Sequence, residues 1–169
     1  MINHGVFMSE VSSVSVEARV AGLFIAPHAR EALVSMAEVV AVADRGLEGD
    51  RYFYQRGSYS RWPGRGRDVT LIETEVLASL PAPCAITGAQ ARRNIVTRDL
   101  RLNALVGQFF RLGEVLLYGV RLCEPCPHLD TLTQPAVMAA LLGRGGLRAD
   151  IIEGGVIRLG DGVSALASG

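Results

Sequence analysis

Short apolar runs, bounded by glycine, proline and other turn residues, recur along this chain and limit its fold more than any other feature. They predict eight or nine short strands, within residues 14–25, 36–43, 69–72, 94–97, 107–112, 115–122, 147–153, 156–159 and 163–167. Helical spacing is confined to Glu73–Leu80 and Thr131–Leu142, with a single turn at Leu102–Leu105. Gly154-Gly155, between two apolar runs, predicts a hairpin.

Most of these strands follow one another without an intervening helix, which disfavours a parallel α/β sheet. The sequence therefore predicts a mainly β (α+β) fold: a mostly antiparallel β-barrel, closed or nearly closed, with a few peripheral helices. At 169 residues the chain is expected to form one domain. We expect a flexible N-terminus over residues 1–13 and a single domain over residues 14–169.

The composition limits which binding partners and which cellular compartment we expect. The formal net charge is zero, so there is no overall electrostatic attraction to nucleic acid or to an anionic membrane. No apolar run approaches the ~20 residues of a membrane span, and residues 1–19 lack the pattern of a secretory signal. Three cysteines are too few, and odd in number, for a disulfide framework. We therefore expect a cytoplasmic protein with a small-molecule substrate, and neither nucleic acid nor membrane as a partner.

Every one of the 17 basic residues is arginine, and lysine is absent. Covalently bound pyridoxal phosphate is thereby excluded, because its Schiff base requires a lysine amine. A P-loop is excluded as well, because its motif requires a lysine that contacts the nucleotide phosphates. Arginine binds phosphate and carboxylate in a planar, bidentate way, so this composition suits an anionic ligand.

Residues 44–68 show no periodicity and hold five glycines and six arginines, with aromatic residues between them. Long loops in compact domains are usually functional or mobile. One interpretation is a plain loop in which Asp50 pairs with Arg51. The other is an anion-binding loop, in which Gly49 lets the backbone approach a ligand and Asp50 and Arg51 supply polar contacts. Arginine and aromatic side chains together could hold a flat, phosphorylated ligand.

A second basic motif, ARRNIVT at Ala91–Thr97, places two arginines and an amide just before an apolar strand. It is either a solvated strand entrance or a bidentate clamp for phosphate or carboxylate at the mouth of the barrel.

The motif RLCEPCPHLD at Arg121–Asp130 holds the pair Cys123 and Cys126. Four interpretations stay open: part of a zinc site completed by Cys84 and His128, a redox pair, a buried inert pair, or one reactive thiolate. No second ligand pair at zinc-finger spacing is present. If Pro127 begins a short helix, Cys126 lies at its N-terminal end, where the partial positive charge favours a thiolate.

In this order and spacing, the motifs GLEGDRY, ARRNIVTRDLRLNALVGQFFRLGEVLLYGVRLCEPC and GLRADIIEGGVIRLGDGV resemble the MOSC domain, named for the C-terminal region of molybdenum cofactor sulfurase. The resemblance covers about residues 15–167. It implies a mostly antiparallel β-barrel that binds the molybdenum cofactor or handles sulfur through a cysteine. In the amidoxime-reducing branch that cysteine ligates molybdenum; it matches Cys126 here. The R-x-N that contacts the cofactor matches Arg92 and Asn94, and Thr97 is a further expected contact.

The departures from the family pattern also carry information. We expect this chain to lack the extra N-terminal barrel region of the larger amidoxime-reducing proteins, and the reductase-module and ferredoxin extensions of some relatives. A catalyst would therefore need a separate electron donor. The family is often described as binding pyridoxal phosphate, but without lysine any such chemistry belongs to a separate cysteine desulfurase. Tyr52 and Phe53 stand where the family's Gly-Asp motif often continues with histidine.

Three hypotheses follow. The chain is an enzyme that binds molybdenum cofactor through Cys126 and reduces N-hydroxylated compounds. Alternatively, Cys126 carries a persulfide to metal–sulfur centres. The third hypothesis is a non-catalytic binding module.

Overall fold

A computed structural model describes residues 17–166. The strands are β1 (Arg19–Ile25), β2 (Val34–Ser35), β3 (Glu38–Val42), β4 (Gly46–Leu47), β5 (Val69–Glu73), β6 (Ile95–Arg98), β7 (Phe109–Leu112), β8 (Val115–Leu122), β9 (Leu147–Glu153), β10 (Gly155–Arg158) and β11 (Val163–Ala165). The α-helices are α1 (Thr74–Ala78), α2 (Pro127–Leu132) and α3 (Val137–Leu141), and single 3-10 turns occur at Ala82–Cys84 and Leu102–Leu105. The predicted flexible segment 1–13 lies outside the described residues.

One curled sheet of eight strands dominates the structure, in the order β11-β7-β8-β9-β5-β6-β1-β2, and a small sheet β10-β3-β4 lies beside it. All pairings between these strands are antiparallel except β5–β6, which is parallel and is connected through α1. Backbone bonds from Val20 N to Asp161 O (2.8 Å) and from Val163 N to Ala18 O (2.8 Å) tie β1 to the segment that enters β11. The predicted mainly β, barrel-like fold is confirmed, with a mixed rather than purely antiparallel sheet.

The interior of the curled sheet is filled by apolar side chains that alternate along the strands, as a half-buried strand requires. Phe110, Leu117, Leu147 and Ile151 are fully buried there. A second, smaller core lies outside the sheet, between β5, β6 and the helices, and contains Ile72, Leu80, Cys84, Ile86, Ala91, Val96, Leu129, Val137 and Leu141. None of the helices in residues 17–166 has the length and apolar content needed to cross a bilayer.

Two local predictions are wrong. The predicted hairpin at Gly154-Gly155 does not form, and β10 pairs with β3 in the small sheet. One edge of β9 is paired with β8, and β5 pairs with residues 147–149 on the other edge. Beyond β5, Ile151 N donates to Asp68 Oδ2 and Ile151 O accepts from Asp44 N, so these backbone groups are not available to β10. The predicted helix Thr131–Leu142 is two helices, since Pro135 interrupts the chain between them and Ala136 adopts a left-handed conformation (φ 72°). The consequence is that α2 starts four residues earlier than predicted, directly after Cys126.

The loop that we name the arginine–aromatic loop, residues 51–67, is fixed at its far end by a carboxylate on β9. Asp150 accepts hydrogen bonds from Arg65 Nε (2.8 Å) and Gly66 N (2.6 Å). Next to it, Asp68 accepts a hydrogen bond from Ile151 N (2.9 Å). The pKa of Asp68 is raised to about 6, chiefly by burial and further by the negative charges of Asp150 and Asp44. The hydrogen bond from Ile151 N acts in the opposite direction.

Gly119 in β8 gives a prediction about stability. A Cβ atom there would lie 2.0 Å from the backbone oxygen of Leu105, which cannot move without disturbing the neighbouring turn. We expect Gly119→Ala to lower the free energy of unfolding by at least about 1–3 kcal/mol, as overpacking does. Chemical denaturation measures this. Gly162→Ala is the control, because a Cβ at Gly162 meets no atom within 4 Å; equal losses in the two variants would contradict the packing argument.

Asp68 gives a prediction about pH. Its pKa is about 6 in the folded protein, against an ordinary value of 3.8. Its contribution to stability is therefore fully present below the ordinary value and is lost as pH rises through about 6. Asp68→Asn keeps the oxygen that faces Ile151 N and removes this titration. As pH rises between these two values, we expect the free energy of unfolding of the wild type to fall relative to that of Asp68→Asn. For the exposed control Glu48→Gln, we expect the free energy of unfolding to follow that of the wild type. Parallel pH profiles for the wild type and Asp68→Asn would contradict this.

Candidate functional site

A cavity of about 280 Å³ lies where the arginine–aromatic loop, the turn before β6 and the segment between β8 and α2 meet. Its wall holds five arginines: Arg30, Arg51, Arg92, Arg93 and Arg148. The remaining lining residues are Tyr52, Ser58, Tyr59, Thr70, Cys123, Glu124, Pro125, Cys126, His128, Leu129 and Leu132. Within the described part of the chain, Glu124 is the single carboxylate in this wall. The chain as a whole is neutral, so the positive charge is concentrated here.

The two cysteines of the C-x-x-C motif have different surroundings. Cys123, at the end of β8, is 1% exposed, and its backbone N–H donates to Gly146 O (2.7 Å). Cys126 is partly exposed in the cavity wall and directly precedes Pro127, the first residue of α2. Both thiols are free. An accessible sulfur beside a buried one is an asymmetric pair, in which only Cys126 is open to a ligand.

Cys84 lies apart from this pair, buried in the second core, where its Sγ faces Pro135 O at 4.0 Å. In the part of the chain that the structure describes, no three His, Cys, Asp or Glu side chains are grouped closely enough to hold a metal ion by themselves. The zinc set of Cys84, Cys123, Cys126 and His128 that the sequence left open is therefore not assembled.

Asp50, predicted to contact a cofactor, lies behind the cavity wall as a buried acceptor (2% exposed). Its Oδ2 accepts hydrogen bonds from Ala26 N (3.1 Å), Arg51 Nη1 (3.2 Å) and Asn94 Nδ2 (3.3 Å), and its Oδ1 accepts one from Tyr52 N (3.1 Å). The Asp50–Arg51 pair therefore exists, yet Arg51 also reaches the cavity. The Asp50–Arg51 pair of the first interpretation is present, and the anion-binding interpretation stays a prediction.

Asn94, the amide of the R-x-N motif, also lies behind the wall. Its Nδ2 donates to Phe24 O (3.2 Å) and to Asp50, and its Oδ1 accepts from the backbone N (3.2 Å) and hydroxyl (3.1 Å) of Thr70. The amide is thus engaged on both sides. It aligns β5, β6 and the loop rather than facing the cavity.

Thr97 and Gly49 occupy similar supporting positions. Thr97 is fully buried, and its hydroxyl donates to Ile72 O (3.4 Å). Gly49 has φ +83°, and a Cβ there would approach Ile25 Cδ1 to 3.0 Å, so this turn requires glycine. Neither residue lines the cavity in the described structure.

Arg92 and Arg93 face the cavity with different partners. Arg92 adopts a left-handed conformation (φ 58°), and its Nη1 donates to Glu31 O (2.7 Å). Burial lowers the pKa of Arg92, and the charge of Arg51 adds to this effect. Arg93 is 7% exposed and donates to three backbone carbonyls, those of Gly145, Ala91 and Cys123. Arg93 thereby fixes the end of β8, from which the cysteine segment departs.

Arg148 is a cavity residue that the sequence predictions missed. It lies on β9, opposite Thr70 of β5 on one side and Arg121 of β8 on the other. No carboxylate of residues 17–166 forms an ion pair with it. A half-buried arginine beside a second arginine is unfavourable unless an anion compensates it. The sequence offered one indication of this role, a charged residue within the predicted strand 147–153.

Tyr59 was also missed as a site residue, because the arginine–aromatic loop has no periodicity from which a facing direction can be inferred. Its ring lines the cavity beside Cys126. The pKa of Tyr59 is raised, chiefly by a hydrogen bond with Cys126, then by the charge of Cys126 and by burial. The loop therefore reaches back to the cysteine segment, a contact between residues distant in sequence.

Comparison with known proteins agrees with this architecture. YuaD from Bacillus subtilis superposes with a TM-score of 0.75 at 15% identity, over 91% of this chain and 98% of YuaD. YiiM from Geobacillus stearothermophilus has a TM-score of 0.66 at 13% identity, over 89% of this chain and 75% of that one. YiiM from Escherichia coli gives 0.63 at 18%, over 89% and 71%. At these identities the likeness shows the fold alone.

No curated protein sequence matches the chain. The family model of the MOSC domain matches residues 45–164, which is most of the chain and includes the arginine–aromatic loop, the R-x-N motif and both cysteines of the C-x-x-C pair. The chain therefore belongs to the MOSC domain family.

Proposed function

We propose that this protein binds the molybdenum cofactor in the arginine-lined cavity, with Cys126 as the protein ligand to molybdenum, and reduces N-hydroxylated compounds. One observation carries the proposal: an accessible cysteine lies in a cavity with five arginines and one carboxylate among its described lining residues, in a chain of zero net charge.

The donor set of the cavity fits this cofactor. The cofactor is a pterin with a phosphate group and a dithiolene that already holds the metal, so the protein need supply only one soft ligand. Thiolate sulfur is such a ligand. A single accessible Cys126 meets the requirement, even though no cluster of three metal-binding side chains exists in residues 17–166.

Arginines would hold the phosphate. Arg148 has no ion-pair partner in the described chain, and Arg92 donates only to a backbone carbonyl, so both can accept an anion without losing a carboxylate. A guanidinium binds phosphate through two parallel N–H groups, which fixes orientation as well as charge. Tyr52 and Tyr59 offer aromatic surfaces against which a flat ring can pack.

A second layer would keep these groups in place. Asp50 and Asn94 hold Arg51 and the start of the arginine–aromatic loop, and Arg93 holds the segment that carries Cys126. Supporting hydrogen bonds of this kind restrict the rotamers of ligand-binding side chains. We thus assign Gly49, Asp50, Asn94 and Thr97 supporting roles behind the cofactor, and Arg51 and Arg92 direct ones.

When bound, the cofactor supplies two-electron redox chemistry at the metal. The residues of this chain would hold the cofactor by its phosphate, orient the sulfur of Cys126 and confine the substrate between Leu132, Tyr52 and Tyr59. The electrons would come from a separate donor protein.

A persulfide carrier would also use Cys126. A separate pyridoxal-dependent cysteine desulfurase would supply the outer sulfur of the persulfide. The concentration of arginines favours the cofactor, because a persulfide on Cys126 needs no phosphate site. The two functions differ in what the purified protein contains.

Metal content tests the proposal. After expression in a molybdate-supplied host, we expect about one molybdenum per chain, by elemental analysis, in the wild type, and a loss toward background in Cys126→Ala, because alanine offers the metal no ligand atom. The matched control is Cys123→Ala, which we expect to keep most of the metal because Cys123 is only 1% exposed and its sulfur is not open to a ligand.

Molybdenum at background in the wild type would contradict the proposal, and cyanide-labile sulfur on Cys126 would then support the carrier. Equal and complete loss of metal in Cys123→Ala, with the fold intact, would contradict the asymmetry of the pair.

Arg148 provides the test variant for the phosphate site, and Arg121 provides the matched control. They lie opposite each other on β9 and β8, but only Arg148 lines the cavity. We expect Arg148→Gln to lower molybdenum content about tenfold or more, because it removes a bidentate phosphate contact, and Arg121→Gln to leave it unchanged. Thermal unfolding should show both variants as stable as the wild type. Equal metal content in the two variants would contradict a phosphate role for Arg148.

A further inference from the structure

A second cavity, of about 240 Å³, adjoins the arginine-lined cavity, and we name it the side pocket. Arg30, Arg92 and Leu132 line both cavities, so these three side chains stand at the boundary between them. The loop between β1 and β2, the turn before β6 and the end of α2 form the side pocket. Its remaining lining residues are Ala32, Leu33, Ala89 and Gln90.

The composition of the side pocket suits an anionic group on a carbon skeleton. Its described lining residues include two arginines and one amide, but neither Asp nor Glu. Arg30 is exposed and has no ion-pair partner among residues 17–166. The adjacent carboxylate of Glu31 contacts His28 Nδ1 instead (3.1 Å). The rest of the wall is apolar, which is the usual surrounding of the few polar groups that orient a small ligand.

The two arginines of the side pocket share an uncommon backbone conformation. Arg30 has φ 70° and Arg92 has φ 58°, in the left-handed region that few residues other than glycine adopt. Such conformations persist where surrounding contacts impose them, and they cluster at ligand-binding sites. Arg92 Nη1 donates to Glu31 O (2.7 Å), which ties the loop of Arg30 to the turn before β6. Both arginines are thereby held at the same pocket.

The sizes of the two cavities indicate separate occupants. Sites for drug-sized ligands have volumes of about 300–1,000 Å³. The larger cavity, at about 280 Å³, therefore has room for one such ligand. In the proposed function this ligand is the cofactor, held by Cys126 and Arg148, and neither of these residues lines the side pocket. A substrate that reaches the larger cavity past Leu132 would extend into the side pocket, where Arg30 meets its far end.

We propose that the side pocket is a subsite for a carboxylate of the substrate, and that Arg30 is the residue that selects for it. The substrate class is then N-hydroxylated compounds that carry a carboxylate away from the N–O bond. A carboxylate matches the parallel N–H groups of a guanidinium, which an uncharged end group does not. Reduction would take two electrons from the donor protein and two protons from water, break the N–O bond and release water.

This assignment rests on the proposed function for the reaction, whereas carboxylate binding is a property of the chain alone. Arg30 is the residue to test, because Arg92 also has a proposed contact with the cofactor. Both measurements below use benzamidoxime and 4-carboxybenzamidoxime, which differ only in the carboxylate.

The first measurement is steady-state reduction of the two compounds by the molybdenum-loaded protein, with a chemical reductant in place of the donor protein. We expect the wild type to favour the carboxylated compound. Arg30→Gln should lower the ratio of the two kcat/KM values about tenfold, through the KM of the carboxylated compound, as the loss of one charged hydrogen bond does. Arg98→Gln is the matched control, because Arg98 is an exposed arginine at the far end of β6 and lines neither cavity.

The second measurement locates the carboxylate without any reaction. In NMR titrations of protein prepared without molybdate, we expect 4-carboxybenzamidoxime to shift the amide signals of Ala32, Leu33 and Ala89, and benzamidoxime to shift them less. Arg30→Gln should weaken this binding about tenfold, and Arg98→Gln should bind as the wild type does. Equal shifts from the two compounds, shifts confined to the larger cavity, or equal affinity in the wild type and Arg30→Gln would overturn the proposal.

The two proposals fail separately. Background molybdenum in the wild type, with carboxylate-dependent shifts at the side pocket, would remove the proposed function and keep the carboxylate site. Stoichiometric molybdenum, with the same kcat/KM ratio in the wild type and Arg30→Gln, would do the reverse. A loss of molybdenum in Arg30→Gln as large as that in Arg148→Gln would also overturn the substrate role, because Arg30 would then hold the cofactor.

Discussion

The buried carboxylate of Asp50 is the interaction on which the cavity depends. It accepts four hydrogen bonds, which join the end of β1 at Ala26, the start of the arginine–aromatic loop at Arg51 and Tyr52, and the R-x-N motif at Asn94. Loss of one partner from a buried, hydrogen-bonded charge pair costs about 3–5 kcal/mol, so this centre holds three separate segments in one arrangement. Of the arginines in the cavity wall, Arg51 is held directly by this carboxylate, and Arg92 and Arg93 immediately precede Asn94, which donates to it.

The site has a layered organisation that follows from the cost of burying charge. Some charges at the site are compensated within the protein: Asp50, behind the wall, by Arg51, and the guanidinium of Arg93 by three backbone carbonyls. In the wall itself, Arg148 and Arg30 have no ion-pair partner among residues 17–166. Uncompensated positive charge in a neutral protein is most economically explained by an anionic ligand. The same division separates Cys123, held in the β-sheet, from the accessible Cys126.

Much of the fold could be predicted because strand and turn signals are local. Val115–Leu122 and Leu147–Glu153 coincide with β8 and β9, since a short apolar run bounded by turn residues is a local signal of a strand. Partner choice is not local, and the hairpin expected at Gly154-Gly155 did not form for that reason: β8 and the segment at Asp44 and Asp68 already bond the C-terminal half of β9. The division between α2 and α3 has a local cause, because Pro135 interrupts the helix. The prediction of one helix over residues 131–142 gave more weight to the longer apolar pattern than to this proline.

The sequence by itself determined the β-rich class, the family, the absence of a lysine-bound cofactor and the candidates Cys126, Arg51 and Arg92, because these depend on residue type, order and spacing. Only the tertiary structure decided which candidates face the cavity and which stand behind it, as Asn94 does, and it alone brought Arg148 and Tyr59 to the cysteine. The physical reason is that a side chain's direction depends on strand pairing and loop closure, and both are set by hydrogen bonds between residues far apart in the chain.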